Sequence, residues 1–348
     1  MKKICIHFQV HQPFRLNRFS FMDIGGKIPY YDETLNSEIL KRISLQSYLP
    51  ANRALLQLIK SGNGQLRVKF SISGTALDQF EMYTPELVES FRMLADTGCV
   101  EFMSDTYSHS LAVLKSNEEF NFQVKKHTER IVGLFGRKPH LFNNTAQIYN
   151  RKVADMAATM GFMATLNGSD SQENKTINLF MDYQAFGRTH RHADVIPAFA
   201  KNLPDEVLRQ SNQILHATEV AKLLPSLVSI TRPQTAALQP EGCDLHPWLS
   251  NDMQQDAFET LYALERRVHA ADDEELIQDW LYLQSADHFY YMGLQDTANS
   301  VSPYDNPFDA FINYMNVLTD FSLRANIFPE KKKNITNGRY TLETGLHI

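Results

Sequence analysis

Short strand-like segments alternate with helical ones over the first two-thirds of the chain, and this alternation restricts the possible fold more than any other feature. Residues 4–10 alternate between apolar and polar side chains, a period of two that predicts a strand with one polar face. Strands separated by helices favour a parallel α/β sheet, most simply a barrel with its functional residues at the strand C-termini. The further strands that we predict lie at 66–72, 100–103, 140–143, 162–166, 177–181 and 213–216.

Helix boundaries are marked between the predicted strands. One helix is predicted to begin at Pro85, because proline is tolerated in the first turn, and to end near Gly98. Ser116 and Glu119 have the spacing of a capping box, which predicts a second helix that ends at Gly136.

Beyond residue 248 the strand patterns stop. Three long helices are predicted there, over 248–269, 274–292 and 308–325. The expected organisation is therefore a barrel-like domain over 1–235, a helical segment packed on it over 236–330, and a loosely ordered tail over 331–348.

One connection conflicts with a regular barrel. Only the polar residues 167–176 separate the fifth and sixth predicted strands. A parallel crossover needs a dozen or more residues and usually contains a helix. The two strands therefore pair antiparallel, or the sixth reaches across a gap, or the barrel is incomplete there; the alternative is that one of the two strand predictions is wrong.

Charge and cysteine content narrow the expected partners and location. The 348 residues include 34 Lys and Arg against 40 Asp and Glu, a net charge of −6 that disfavours nucleic acid as a partner. Cys5, Cys99 and Cys243 form no CxxC pair, which fits a reducing compartment. Polar residues interrupt the apolar start before it reaches the length of a leader, and no run is long enough to cross a membrane. We expect a cytoplasmic protein with no membrane partner.

Polar side chains suited to chemistry follow several of the predicted strands. His11 and Gln12 follow the first strand, Glu101 lies within the third with His109 just beyond it, and Asp182 follows the sixth. A carboxylate directly after an apolar strand suits a general acid, because desolvation raises its pKa. The structural alternatives are a loop histidine bound by the backbone, a buried and paired Glu101, and an Asp182 that caps a helix.

Two further clusters are less specific. Residues 190–194 hold two histidines and an aspartate, but their spacing is not a strong ligand pattern, so we favour a solvated loop and expect no metal. The segment 279–292 is rich in aromatic residues, which is typical either of a carbohydrate cleft or of core packing. It contains Trp280 and Asp287, and a carboxylate in such a stripe needs a partner, which indicates the edge of a site.

Taken in order, these segments resemble the spaced motifs of glycoside hydrolase family 57, whose members are retaining enzymes acting on α-glucans. The resemblance covers nearly the whole chain and implies an incomplete, seven-stranded (β/α) barrel followed by a C-terminal helical segment. It also implies an α-glucan or maltooligosaccharide as partner and no cofactor. The matching segments are His-Gln-Pro at 11–13, Gly-x-Val-Glu at 98–101, the segment around 147, Asp-x-x-x-Phe-Gly at 182–187 and Gln-Ser-Ala-Asp at 284–287.

The resemblance assigns the acid/base role to Asp182 and places Gln147 where the family has its nucleophilic glutamate. Many members also carry a glutamate at the position of Gln184 and a histidine at that of Gln9, and the family has a longer segment where only 167–176 remain. Retention requires a carboxylate roughly 5 Å from the acid, and a neutral amide cannot replace it. We therefore expect a cleft that binds sugar with impaired or lost hydrolysis. The substrate-binding residues expected are His11, Gln12, Glu101, His109, Trp280 and Asp287.

Two other functions stay open. One is an active retaining hydrolase or transferase that takes its nucleophile from another carboxylate, such as Glu101. The other is a metal-dependent, deacetylase-like hydrolase with His11, His109 and Asp182 as ligands. A truncated remnant that folds poorly is the simplest alternative to all of these. The oligomeric state does not follow from the sequence.

Overall fold

Six strands of the described residues, all paired in parallel, form the wall of the barrel. The structure, a computed structural model, describes residues 3–61, 66–145, 151–166, 176–184, 245–294 and 302–327. The strands are β1 (Lys3–Val10), β2 (Val68–Ile72), β3 (Val100–Phe102), β4 (Leu141–Asn143), β5 (Ala164–Leu166) and β6 (Thr176–Asp182). The helices between them are α1 (Glu33–Ile43), α2 (Leu49–Ser61), α3 (Gly74–Tyr83), α4 (Pro85–Asp96), α5 (Asn117–Phe135) and α6 (Arg151–Thr159).

The C-terminal part is helical. Its elements are α7 (His246–Leu249), α8 (Asp252–Tyr262), α9 (Glu265–Ala271), α10 (Glu274–Leu283), α11 (Ala286–Tyr290) and α12 (Pro307–Ile327). The first two of the three long predicted helices are therefore broken into shorter ones. The predicted strand at 213–216, the domain boundary near 236 and the tail at 331–348 lie outside the described residues. None of the helices in the described ranges is long and apolar enough to cross a bilayer.

Among the described strands, no pairing joins β5 to β6. One sheet has the order β3-β2-β1-β6, and β4 pairs with β5, with every pairing parallel. A single bridge between Ser104 and Phe142 joins the two sheets. Within the described strands β6 pairs with β1 rather than with β5. The prediction that the fifth and sixth strands are not neighbours joined by an ordinary parallel crossover is therefore confirmed.

The outward face of the central strands builds the first core. Ile6, Phe8 and Val10 of β1 are fully buried, as the period of two requires, and they pack with residues of α1 to α4. The Phe8 ring lies 4.9 Å from that of Tyr183, which directly follows β6. Burial of each such side chain stabilises the fold by about 1.5–3 kcal/mol. This packing fixes the strand end that carries Asp182.

The inward face of the strands is polar and arranged in layers. His7, Lys69 and Glu101 are register partners across β1, β2 and β3. Burial, helped by the nearby Lys69 charge, lowers the pKa of His7 to about 3, so this imidazole is neutral. One layer higher, Gln9 is in register with Ser71 on one side and with Asp182 on the other. Polar groups thus lead from the barrel interior to the C-terminal strand ends.

The helical segment packs on the barrel through a second core. Trp280, Tyr314 and Phe321 are fully buried in the same apolar cluster as Phe120 and Phe142 of the barrel. Trp280 stacks on Phe321 with the ring centroids 6.4 Å apart. The predicted packing of helices against the barrel is therefore present in the described residues.

A buried carboxylate joins the two parts. Glu119 is fully buried, and it accepts hydrogen bonds from His269 at 2.7 Å, Gln284 at 2.7 Å and Gln123 at 2.9 Å. Ser116 caps α5 by accepting from the Glu119 amide, but the Glu119 side chain does not complete the predicted capping box, because it points to α9 and α10 instead. These three donors more than offset burial and lower the pKa of Glu119, while the Glu119 hydrogen bond raises the pKa of His269.

The Glu119–His269 pair makes stability pH-dependent. Since the folded-state pKa of His269 exceeds its ordinary 6.5, its contribution is complete below that value and is lost as pH rises through the folded pKa. Since the pKa of Glu119 falls below its ordinary 4.5, its contribution is present above that value and is lost as pH falls through the folded pKa. The pair therefore stabilises the protein most between 4.5 and 6.5.

We predict that His269→Gln lowers the free energy of unfolding by about 1–3 kcal/mol at pH 5.5 and by less at pH 8.5. Urea unfolding at both pH values measures the difference. His140→Gln is the matched control, because His140 is exposed, and it should change neither value. An equal loss in the His269 variant at both pH values would contradict the role given to the ion pair.

Candidate functional site

A cleft of about 810 Å³ lies where the strands end, between α1 on one side and α7 and α11 on the other. Both predicted histidines line it, together with both predicted aspartates and Gln12. The full set of lining residues is Gln9, His11, Gln12, Pro13, Arg15, Leu35, Ile39, Arg42, Ile43, His109, Asp182, Gln184, Trp248, Ala286, Asp287, Tyr290, Tyr291, Ser302 and Pro303.

His11 connects the barrel to the helical segment. Its Nδ1 lies 2.7 Å from the Ser73 hydroxyl, and its Nε2 lies 2.7 Å from an oxygen of Asp287. The carboxylate can only accept, so Nε2 carries the proton and Nδ1 accepts from Ser73. Ser73 is held in turn as the N-cap of α3, where it accepts from the Ala76 amide. Asp287 also accepts from Ser285 at 2.8 Å, and a quarter of its side chain faces the cleft.

His109 stacks on His11 with the ring centroids 4.5 Å apart. Its backbone has a φ of +54°, the left-handed region that non-glycine residues seldom adopt. Two backbone hydrogen bonds hold this conformation. The His109 amide donates to the Thr106 carbonyl, and the His109 carbonyl accepts from the Ala286 amide at the start of α11. Backbone strain held in this way is typical of functional sites.

Asp105 lies beside His109, the second histidine of the stacked pair. It is fully buried, 3.9 Å from Nδ1 of His109, and it accepts hydrogen bonds from Ser71 at 2.8 Å and Asn143 at 3.2 Å. Asn143 also donates to Gln9 at 3.0 Å. The amide of Asn143, at the end of β4, thus joins Asp105 to Gln9 beneath the cleft.

The two stacked histidines differ in charge. Burial lowers the pKa of His11 below 6.5, and Asp287 only partly opposes it. Burial also lowers the pKa of His109, but Asp105 and Asp287 outweigh it and leave that pKa above 6.5. Burial would raise the pKa of Asp287, yet its two histidine neighbours hold it well below the ordinary value. The cleft therefore holds a neutral His11, a cationic His109 and an ionised Asp287 between the two histidine pKa values.

Asp182 stands at the end of β6 beside Gln9, its register partner. Its side chain is exposed, so the desolvation expected from the sequence is not found in the structure. The neighbouring residues are fixed: Tyr183 is buried and donates to Asn52, and the Gln184 carbonyl accepts from Ser47 at 2.7 Å. Asp182 therefore presents a carboxylate to the cleft from a rigid strand end.

Gln12 is buried below the cleft and joins its two sides. Its amide donates to Gln184 at 3.3 Å and accepts from Arg15 at 3.3 Å. Its backbone carbonyl accepts from Gln79 at 3.0 Å. The His-Gln-Pro turn is thus held by α3.

Two predicted substrate-binding residues lie elsewhere. Trp280 is fully buried in the second core, so it cannot stack on a ligand; the aromatic stripe there is core packing. Glu101 pairs in register with Lys69 inside the barrel and does not line the cleft. The aromatic rings of the cleft come instead from Trp248, Tyr290 and Tyr291, of which the two tyrosines follow Asp287 by three and four residues in the same aromatic-rich segment.

The remaining sequence predictions concern Gln147 and possible metal ligands. Gln147 and residues 190–194 lie outside the described residues. Among the residues that are described, no group of three His, Cys, Asp or Glu side chains is placed to hold a metal ion. Both ring nitrogens of His11 are occupied by Ser73 and Asp287, which leaves none for a metal in this conformation.

We predict that His109 titrates above pH 6.5 and His11 below it. Only at His109 do the neighbouring carboxylates raise the pKa by more than burial lowers it. NMR titration of the imidazole signals, assigned with His11→Gln and His109→Gln, measures both. Asp105→Asn should lower the pKa of His109, since burial then dominates. Two histidines that titrate together near 6.5 would contradict the assignment of charges.

Comparisons with known proteins agree with this geometry. Residues 5–169 match the model of Glycosyl hydrolase family 57. A Methanocaldococcus jannaschii protein named "Putative alpha-amylase" is 27% identical, over 91% of this chain and 84% of its own.

Solved structures show the same fold. A GH57-type branching enzyme from Pyrococcus horikoshii matches with a TM-score of 0.62 at 11% identity, over 94% of this chain and 95% of its own. The alpha-amylase AmyC from Thermotoga maritima matches with a TM-score of 0.58 at 11% identity, over 94% and 96%. The match of residues 5–169 to the family model and the relative that spans most of the chain make this chain similar to glycosyl hydrolase family 57, and the solved structures show that it shares their fold.

Proposed function

We propose that this protein binds an α-glucan in the cleft at the strand ends and hydrolyses it weakly or not at all. The observation that carries the proposal is the convergence of His11, His109, Asp182 and Asp287 on one cleft of about 810 Å³. Related proteins that share the fold are named as a branching enzyme and an alpha-amylase.

The cleft has the chemistry that a sugar needs. Sugar rings present hydroxyl groups at their edges and C–H groups on their faces. Asp287 accepts hydrogen bonds, His109 donates them, and Trp248 and Tyr290 supply aromatic faces for the rings. Because Asp287 is already oriented by His11 and Ser285, little entropy is lost when it binds a hydroxyl.

The weak hydrolysis follows from Gln147. By its match to the family motif, this residue occupies the position of the nucleophilic glutamate, and the retaining mechanism forms a covalent bond between that carboxylate and the sugar. An amide neither attacks the anomeric carbon efficiently nor stabilises the positive charge that develops on the ring. Proton donation by an acid at the position of Asp182 leads to no productive step when the nucleophile is missing.

A second candidate, an active enzyme with a relocated nucleophile, is favoured by one observation. Asp287 is an ionised carboxylate that faces the same cleft as Asp182. Glu101 is the less suitable replacement because it lies inside the barrel beside Lys69. Mapping a trapped glycosyl adduct to Asp287 would establish this alternative.

We predict that the native protein binds maltohexaose with little or no turnover, and that Gln147→Glu raises hydrolysis by about a hundredfold or more, because it restores the missing anion. Calorimetry measures binding, and release of reducing ends measures turnover. Gln57→Glu is the matched control: Gln57 is exposed on α2, so the same change of charge there should have no effect.

Asp182→Asn, combined with Gln147→Glu, should abolish the gained activity. Vigorous cleavage by the native protein would contradict the proposal. Failure to bind any maltooligosaccharide would exclude the α-glucan itself.

A further inference from the structure

Two arginines line the same cleft, and neither forms an ion pair with a carboxylate of the described residues. Arg15 makes three contacts, to the Pro13 carbonyl at 3.4 Å, to Asn36 at 3.4 Å and to Gln12 at 3.3 Å, all with neutral oxygens and all long. Arg42 is exposed and forms no hydrogen bond or ion pair with the described residues. Two guanidinium groups that no described carboxylate contacts therefore line one cleft, whose described carboxylates are Asp182 and Asp287.

The arginines lie on a defined side of the cleft. Arg42 is in the last turn of α1, the helix that also contributes Leu35, Ile39 and Ile43 to the lining. Arg15 is tied to the same helix through Asn36, which is fully buried and accepts from the Arg15 backbone amide at 3.0 Å. A cation in the last turn of a helix also interacts favourably with the helix dipole, but that role requires neither a second arginine nor a cleft.

The groups beside Arg15 do not offset its charge. Gln12 and Gln184, which connect Arg15 to the β6 end of the cleft, are both neutral amides. A glutamate at position 184 would put an anion next to Gln12, whereas this chain has an amide. Asp287 already accepts from His11 and Ser285 and is close to the cationic His109, so its charge is largely satisfied within its own cluster.

We propose that this arginine side of the cleft binds a phosphate group carried by a glucosyl unit, so that the protein prefers a phosphorylated α-glucan to a neutral one. The inference rests on the proposed function and adds its substrate class. A phosphate monoester carries nearly two negative charges near pH 7, which two guanidinium groups match, and the planar fork of arginine binds phosphate oxygens in pairs. The aromatic residues on the opposite side then receive the sugar rings.

The experiment compares affinities by calorimetry at low salt for maltohexaose, maltohexaose monophosphate, glucose 6-phosphate and inorganic phosphate. We expect the phosphorylated oligosaccharide to bind about tenfold or more tightly than the neutral one, and the preference to weaken as salt is raised. Tighter binding of the phosphorylated chain than of glucose 6-phosphate identifies a phosphoglucan as the source of the phosphate; the reverse identifies a free sugar phosphate. Inorganic phosphate should compete with either ligand.

Arg42→Gln and Arg15→Gln should each reduce the preference for the phosphorylated over the neutral oligosaccharide, the ratio of the two affinities, about tenfold. Arg53→Gln is the matched control, since Arg53 is exposed on α2 and does not line the cleft.

Equal affinity for the neutral and phosphorylated oligosaccharides would overturn the phosphate site and leave the proposed function standing. A preference that survives both arginine variants would also overturn it. Absence of binding by either oligosaccharide would reject both proposals together.

Discussion

The pair of hydrogen bonds made by His11 is the interaction on which the site depends. It joins Ser73, at the junction of β2 and α3, to Asp287, at the start of α11, which lies 276 residues from His11 along the chain. Neither partner alone would orient the imidazole, because each fixes only one ring nitrogen. The cleft lies between the barrel and the helical segment. The two hydrogen bonds that orient the His11 ring therefore also connect the barrel side of the cleft to the helical side.

The polar interior of the barrel supports this pair from below. Asp105 is buried and ionised, and it holds the proton on His109, whose ring stacks on His11. Asn143 carries the connection onward to Gln9, the register partner of Asp182. A barrel filled with apolar side chains would be simpler to pack, but it could not set the charge of His109 or fix a carboxylate at the strand end.

Among the described residues, the sequence predicted the six strands and the break between β5 and β6 better than it predicted the use of aromatic residues. The break followed from a chain-length constraint, because ten residues cannot make an ordinary parallel crossover, and such a constraint does not depend on partners. Trp280 was predicted to bind substrate, but it is buried in the second core. Aromatic residues at helical spacing form the same sequence pattern whether they line a cleft or pack in a core. Helix α3 was not predicted at all. Its polar residues Asp78 and Gln79 are buried, because they bind Tyr107 and Gln12, which are distant in sequence. The polar and apolar residues of this helix therefore do not separate into an exposed and a buried face. Glu119 was assigned to a capping box for the same reason, since its true partner, His269, lies 150 residues away.

The geometry of the cleft and its chemistry are maintained by different residues. His11, Ser73 and Asp287 are joined by hydrogen bonds at the cleft, and Asp105 with Asn143 lies beneath them, whereas the proposed loss of cleavage concerns the position of Gln147. Replacement of a glutamate by glutamine changes the charge but hardly the volume. Under the proposed function, such a replacement reduces bond cleavage more than affinity, because the residues proposed to bind the sugar are other than Gln147.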